Sequence, residues 1–544
     1  MRALLISPEY PLSFWSFRKA LRLGGYKVVN PPLGLLTIAA LLPAAWELRL
    51  ADLSARPLQE DDWQWADLVM ISAFHIQKAG FLDLVKEAKS RGKTVVAGGP
   101  FPTLFPEQAL EAGVDFVVRG EGENTVPLFL EALREGRAGV IEIEERPDLT
   151  ASPIPRFDLL RMEDYRTITI QTCRGCPFNC EFCDVERLFG RKPRYKTPQQ
   201  VVGELDALYR LGRRGSIFIC DDNFIANRQR ARAILQELTP WLRDRGHPFS
   251  FLTQSSINLG QDKELMDLMV RARFERVFAG IESPDEKILE SQRKYHNIRH
   301  PLVESIHNLR RNGIEVIGSF ILGFDGERKG AGRRICAFTE ENALPMVMVN
   351  ALQAPPHTAL WDRLAGEGRL REGVEFIAEA FISAFNFEPD RPEAEILEEY
   401  AQAWDYLYQP SRYLARVYRY YLDMPPVLPE VRQAALSSPP PPGAAAPESA
   451  GRGKLADLKA LGKILWWLGV RGPARRQFWI QLLGLWRRNP TRLRMYLRSC
   501  LRVWDLSDMR LLVRDKVAAL LQDQQTPQQR PAPAASCRTE GAPL

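Results

Sequence analysis

Two series of short, continuously apolar segments, separated by amphipathic helical stretches, constrain this 544-residue chain more than any other feature. Strands with one wet face alternate apolar and polar residues. Continuous runs need cover on both faces, as in parallel sheets flanked by helices. The first series fills residues 1–145, with strands expected at 3–6, 48–52, 68–72, 94–97 and 116–118 and helices at 35–42 and 81–89. These make a doubly wound parallel sheet. Ligands of such sheets lie beyond the C-terminal strand ends, where Ser72, Gly98, Gly99 and Gly120 fall. Ordinary turn chemistry also accounts for these glycines.

Residues 146–165 (RPDLTASPIPRFDLLRMEDY) are punctuated by proline and read as a linker. The second series has strands expected at 167–171, 216–220, 249–253, 276–280, 315–322 and 346–352, with helices such as 201–211 and 264–272 between them. Six strand–helix units predict a partial (β/α)6 barrel over 166–369, with its site on the loops that follow the strands. Residues 370–436 read as a helical extension whose dense tyrosines pack into a core. Residues 437–453 (SSPPPPGAAAPESAGRG) are a disordered linker by composition, 454–522 a basic, Trp-rich helical segment, and 523–544 a disordered tail.

Four of the eight cysteines lie in Cys173-Arg-Gly-Cys176-Pro-Phe-Asn-Cys180-Glu-Phe-Cys183, directly after the first strand of the second series. Gly175, Pro177 and Asn179 make this a loop. The other cysteines are sparse and the N-terminus has no apolar leader, so a reduced cytoplasm is expected rather than a disulfide framework. No apolar run is long enough to span a membrane. Clustered thiolates on a loop suit an iron–sulfur cluster. Cys176, Cys180 and Cys183 as its ligands would leave one iron of a four-iron cluster open. Cys173 keeps a closed four-thiolate site in play, and structural zinc is a further option, though zinc pairs are usually a dozen or more residues apart.

The Cys176–Cys183 loop resembles the C-x3-C-x-aromatic-C signature of the radical S-adenosylmethionine (SAM) superfamily, with Phe182 as the aromatic. Further stretches resemble that superfamily's motifs in the same order: Cys220-Asp-Asp-Asn-Phe224 after the second strand, Gly280-Ile-Glu-Ser283 after the fourth, Gly318-Ser-Phe-Ile-Leu-Gly323-Phe-Asp-Gly-Glu327 at the fifth and Ala354-Pro-Pro-His-Thr-Ala359 after the sixth. With residues 1–145 included, the chain resembles the cobalamin-binding, class B methylase-like members. The phrases PPLGLLTIAALLP, GGPFPT, GEGENTVPLFL, IPRFDLL, CDDNFIANR, PLVESI and ILGFDGE resemble the subgroup of the hopanoid C-2 methylases.

The resemblance implies a [4Fe-4S] cluster on Cys176, Cys180 and Cys183, with S-adenosylmethionine chelated at the open iron and cleaved to a 5′-deoxyadenosyl radical. It also implies a cobalamin that donates methyl and an external electron donor such as flavodoxin or ferredoxin. Asp222 and Asn223 would hold the methionine moiety, Glu282 and Ser283 would sit near the ribose, and Gly323 and Phe182 would line the cofactor site. Ser72 and Gly98-Gly99 would match the later parts of the cobalamin fingerprint. No residue is assigned to catalysis itself. By composition alone, Asp221-Asp222 is a solvated turn or a helix cap. Two departures stand out. No Asp-x-His-x-x-Gly sequence follows the first strand, so no lower axial histidine is expected. Cys173 stands where relatives tend to have serine, and it is expected to be a bystander. His75 follows the third strand and is read as an ordinary polar residue rather than a cobalt ligand.

On this reading the enzyme C-methylates an unactivated carbon of an apolar, hopanoid-like lipid. Ring-forming tetrapyrrole chemistry is the enzymatic alternative, and an iron–sulfur electron carrier or cobalamin sensor the non-enzymatic one. Charge is uneven: residues 434–544 hold 18 Lys/Arg against 7 Asp/Glu, whereas the rest of the chain is net −5. Tryptophans 466, 467, 479, 486 and 504 are interleaved with arginines, which suits an anionic membrane surface as well as it suits a cap packed on the barrel. A cytoplasmic enzyme with peripheral contact at the inner membrane face is expected, and nucleic acid is not.

Overall fold

The computed structural model describes residues 1–374, 376, 385–436 and 454–525. Two parallel six-stranded sheets form its core. The first contains β1 (Arg2–Ser7), β2 (Glu47–Asp52), β3 (Leu68–Ser72), β4 (Thr94–Gly98), β5 (Phe116–Val118) and β6 (Gly139–Ile141), ordered β2-β1-β3-β4-β5-β6. Helices Leu33–Leu41 and Gly122–Glu135 cover one face and Lys78–Ser90 the other. The continuous apolar runs are buried on both sides, as their composition requires. β6 is additional to the five strands expected. It is three residues long, half-exposed and starts at a glycine with φ +122, so it carries no apolar signal.

The stretch expected as a linker is tied down. It contains 3-10 turns at Leu149–Ala151, Phe157–Leu159 and Met162–Asp164, and Tyr165 bridges to Val28.

The second sheet is built from β7 (Ile168–Ile170), a small antiparallel ladder of β8 (Cys173–Arg174) and β9 (Arg194–Tyr195) to one side, then β10 (Gly215–Ile219), β11 (Phe249–Gln254), β12 (Phe274–Glu282), β13 (Glu315–Leu322) and β14 (Met346–Ala351). Its order is β14-β13-β12-β11-β10-β7, so β7 and β14 are edges that do not pair and the barrel is a partial one. An unpaired edge invites pairing with another chain. Helix Glu393–Leu407 and its continuation close the β14 edge: Val347 N–H donates to the Tyr408 hydroxyl at 3.1 Å and Trp404 Nε1 donates to Val349 O at 3.1 Å. Five of the seven tyrosines of the extension (Tyr400, Tyr408, Tyr413, Tyr420 and Tyr421) are buried, as expected, whereas Tyr406 is exposed and Tyr418 half-buried.

The basic segment divides in two. Leu493–Leu501 and Val503–Gln525 bury Met495, Tyr496, Cys500, Val503 and Leu506 in the same core as the barrel. Arg492 donates to Pro425 O at 2.8 Å, and Arg498 reaches Glu275. Lys454–Gly469 and Arg475–Arg488 contribute less, with Leu468, Phe478 and Leu485 buried in that core. The last helix runs to Gln525, three residues into the stretch expected as tail. The proposed linker 437–453 and the tail beyond 525 fall outside the described residues. No described helix is long and apolar enough to cross a membrane.

Candidate functional site

The cysteine loop leaves the C-terminal end of β7 and is anchored by carboxylates rather than by regular structure. Asp221, fully buried after β10, accepts from Thr172 N at 2.6 Å and Cys173 N at 2.9 Å, and from the Thr172 hydroxyl. Its neighbour Asp222 accepts from Gly175 N at 2.7 Å. Gly175 is required here: its φ is +94, and a Cβ would lie 2.8 Å from Gly190 O. Glu181, between the last two cysteines, accepts from Arg363 Nε at 2.8 Å. A turn with Cys183 N donating to Cys180 O at 3.2 Å orders the end of the loop.

Cys176, Cys180 and Cys183 are partly buried; desolvation holds the Cys176 and Cys183 thiols above their ordinary range, and the neighbouring Cys180 adds to this. Among the described residues, no three metal-binding side chains converge on one point. Cys173 differs. It is fully buried, pairs with Tyr195 across the β8–β9 ladder, and its thiol donates to Gly175 O at 3.9 Å.

Around the loop the structure gathers most of the expected residues. Phe182 lies 5.6 Å, centroid to centroid, from Phe324 in the Gly318–Glu327 stretch. Glu282 ends β12 with φ +65, a strained conformation for a non-glycine residue. It accepts from the buried ammonium of Lys294 at 2.7 Å, and that ammonium stands 5.7 Å from the Phe182 ring centroid. Lys294 was not anticipated. It sits beside Arg293 in a polar loop, and the only signal was its place after the same strand that ends in Glu282. Ser283 is buried beside Glu282 and accepts from Asp285 N. Gly323 (φ +100) donates to Glu327 at 2.9 Å.

Asn223, expected to hold the methionine moiety, has a partner within the protein. Its amide is already engaged by Ser256, donating at 3.2 Å and accepting at 3.1 Å. Asp222 forms no ion pair among the described residues, and burial pushes its carboxyl up to about 7. A carboxylate in that state fits an ammonium ligand.

The first domain meets the loop through charge. Arg174 donates to Glu121 at 2.7 Å and to Glu123 at 2.9 Å on two nitrogens, and Arg194 donates to Glu121 at 2.7 Å. All four groups are largely buried, and Glu121 and Glu123 open helix Gly122–Glu135. A cavity of about 60 Å³ beneath that helix is lined by Leu35, Ile38, Met70, Ser72, Gly98, Gly99 and Gly122, at the C-terminal ends of β3 to β5. A Cβ on Gly99 (φ +88) would lie 2.5 Å from Ser72 Oγ. The slot is small, and bare backbone at Gly98 and Gly99 forms its rim. His75 is enclosed by Phe101, Phe105 and Phe376, at 5.7, 5.0 and 5.0 Å between centroids.

Comparison with known proteins agrees with this layout. Residues 21–130 match the B12 binding domain, 170–335 the radical SAM superfamily, and 358–519 a domain of unknown function that spans both the helical extension and most of the basic segment. The chain is 43% identical to an uncharacterized methyltransferase of Synechocystis sp. over 97% of its length and 96% of that protein's. It is 34% identical to the hopanoid C-2 methylase of Rhodopseudomonas palustris over 88% of each. The fold is that of the cobalamin-dependent SAM radical enzyme OxsB, with a TM-score of 0.58 at 15% identity, covering 96% of this chain and 80% of that one.

Proposed function

The chain belongs to the cobalamin-binding radical SAM methylases, and from that premise we propose that it C-methylates an unactivated carbon in an apolar, hopanoid-like lipid. Its cofactors are a [4Fe-4S] cluster, S-adenosylmethionine and cobalamin, and an external reductant supplies electrons. When bound, these groups supply radical cleavage of S-adenosylmethionine and the transferred methyl; the protein supplies position and exclusion of water.

In this reading Cys176, Cys180 and Cys183 hold the cluster. Asp222 receives the ammonium of S-adenosylmethionine, while Asn223 holds the Ser256 loop in place rather than the ligand itself. Glu282 accepts from a ribose hydroxyl, with Lys294 keeping its carboxylate oriented, and Ser283 supports the same turn. Phe182 and Gly323 wall the site. Ser72, Gly98 and Gly99 shape the cobalamin slot, and no protein ligand to cobalt is assigned.

The similarity to the hopanoid methylase along nearly the whole chain supports the lipid substrate. The test is to supply methyl-labelled S-adenosylmethionine to reduced, cofactor-loaded enzyme with a total lipid extract. Label in the polycyclic terpenoid fraction is the expected result. Label in tetrapyrroles, or 5′-deoxyadenosine without methyl transfer, would replace the substrate reading.

A further inference from the structure

Helix Arg475–Arg488 has two apolar faces, and the fold uses only one. Phe478, Gln481 and Leu485 are buried, on the side that meets helix Pro410–Asp423. Away from it, Trp479, Ile480, Leu483 and Trp486 are 44%, 72%, 45% and 58% exposed. The preceding helix adds Trp466, 56% exposed, and is fastened by Trp479 Nε1 donating to Gly469 O at 3.0 Å. Arg475 and Arg476 stand exposed at one end of the stripe, Arg487 and Arg488 at the other. Residues 458–504 contain no Asp or Glu. Arg498 and Arg510 reach Glu275 and Asp405, but these four arginines meet no carboxylate among the described residues.

Burying the unused face needs an occupant that is apolar at its centre and anionic at its margins. A second copy of the chain would set arginine against arginine. Nucleic acid would satisfy the arginines but leave Ile480 and Leu483, the middle of the stripe, without a partner. A bilayer surface meets every part: tryptophan at the headgroup level, aliphatic side chains beneath it, arginine on anionic phosphates. We infer that this face docks the enzyme on an anionic membrane. The remainder of the basic segment, from Pro490 onward, packs on the barrel instead.

Cosedimentation of the full-length protein with phosphatidylcholine vesicles, with and without phosphatidylglycerol, tests this without turnover, so it stands or falls apart from the substrate reading. Binding only to the phosphatidylglycerol vesicles, weakening as salt rises, is expected. The variant R475Q/R476Q/R487Q/R488Q should lower partitioning about 1,000-fold, and I480Q/L483Q/W486Q at least about tenfold, both with the parent's unfolding midpoint and bound-cobalamin spectrum. In the unmodified protein, brominated phosphatidylcholine in the anionic vesicles should quench tryptophan fluorescence. Absence of vesicle binding, variants that bind like the parent, salt-sensitive retention on RNA in place of vesicles, or a dimer abolished by I480Q/L483Q/W486Q would each overturn the inference.

Discussion

The ammonium of Lys294 lies 2.7 Å from Oε1 of Glu282, and both side chains are buried against the cysteine loop. The residues are twelve positions apart, yet they form one unit with Phe182. Removing one charge of a buried pair strands the other, at about 3–5 kcal/mol. Lys294→Met should therefore destabilise the protein by that order. The double variant Lys294→Met/Glu282→Gln should recover much of the stability while S-adenosylmethionine binding stays at least about tenfold weaker, since one lost hydrogen bond to a charged group is worth about 1.5–3 kcal/mol. Thermal unfolding and calorimetric titration separate the two effects. Full recovery of binding in the double variant would mean that the pair is only structural.

The four cysteines divide by orientation. Alanine at Cys176, Cys180 or Cys183 should abolish iron retention and the visible absorption of the cluster. Cys173→Ala should retain both, because its thiol is buried in the β8–β9 ladder and turned to Gly175 O. Loss of iron from Cys173→Ala would return the site to four thiolates.

Arg174 joins two domains with one guanidinium. Arg174→Ala leaves Glu121 to Arg194 alone and Glu123 with no cation in the cluster of charges. The expected loss is about 3–5 kcal/mol, with faster proteolysis between residues 146 and 165. Arg174→Lys should recover less than half of this, since an ammonium cannot reproduce the two-nitrogen contact. Equal stability of the Lys variant and the parent would contradict the geometry.

Asp52 ends β2, buried beneath the Tyr165 hydroxyl, and desolvation pushes its carboxyl up to about 6. An unfolded aspartate titrates near about 3.9. The fold therefore prefers the neutral acid. Its contribution is complete below about pH 4 and is lost as pH rises through about 6, a difference of about 3 kcal/mol. Asp52→Asn should remove that slope. Urea unfolding of parent and variant across this range measures it, and parallel curves would refute it.

Both sheets were legible because buried parallel strands announce themselves as apolar runs. Expected residues 315–322 coincide with β13 (Glu315–Leu322), and 68–72 with β3 (Leu68–Ser72). Where burial is partial the signal fades, as at β6. That Cys176–Cys183, Asp222 and Glu282 follow the first, second and fourth strands of the second sheet could be read, because the strands themselves were legible. The pairings of Lys294 and Arg174 could not. They depend on partners brought close by folding, and a basic residue among polar neighbours looks solvated. Asn223 shows the converse, since its place beside Asp222 carried no hint that Ser256 would occupy its amide. The tryptophans of the basic segment were ambiguous for a related reason: Trp467 and Trp504 pack together 5.5 Å apart, while Trp466 and Trp486 face outward, and composition treats all four alike.

The clasp at Arg174 also sets a timetable. Glu121 and Glu123 precede Arg174 by 53 and 51 residues, so a ribosome delivers the acidic socket well before the cysteines. A nascent chain whose first domain has folded presents the emerging loop with its anchor. One whose first domain has failed leaves that guanidinium without its carboxylates and the loop unmoored. The setting of the cysteine loop thus depends on a domain that holds none of the cysteines.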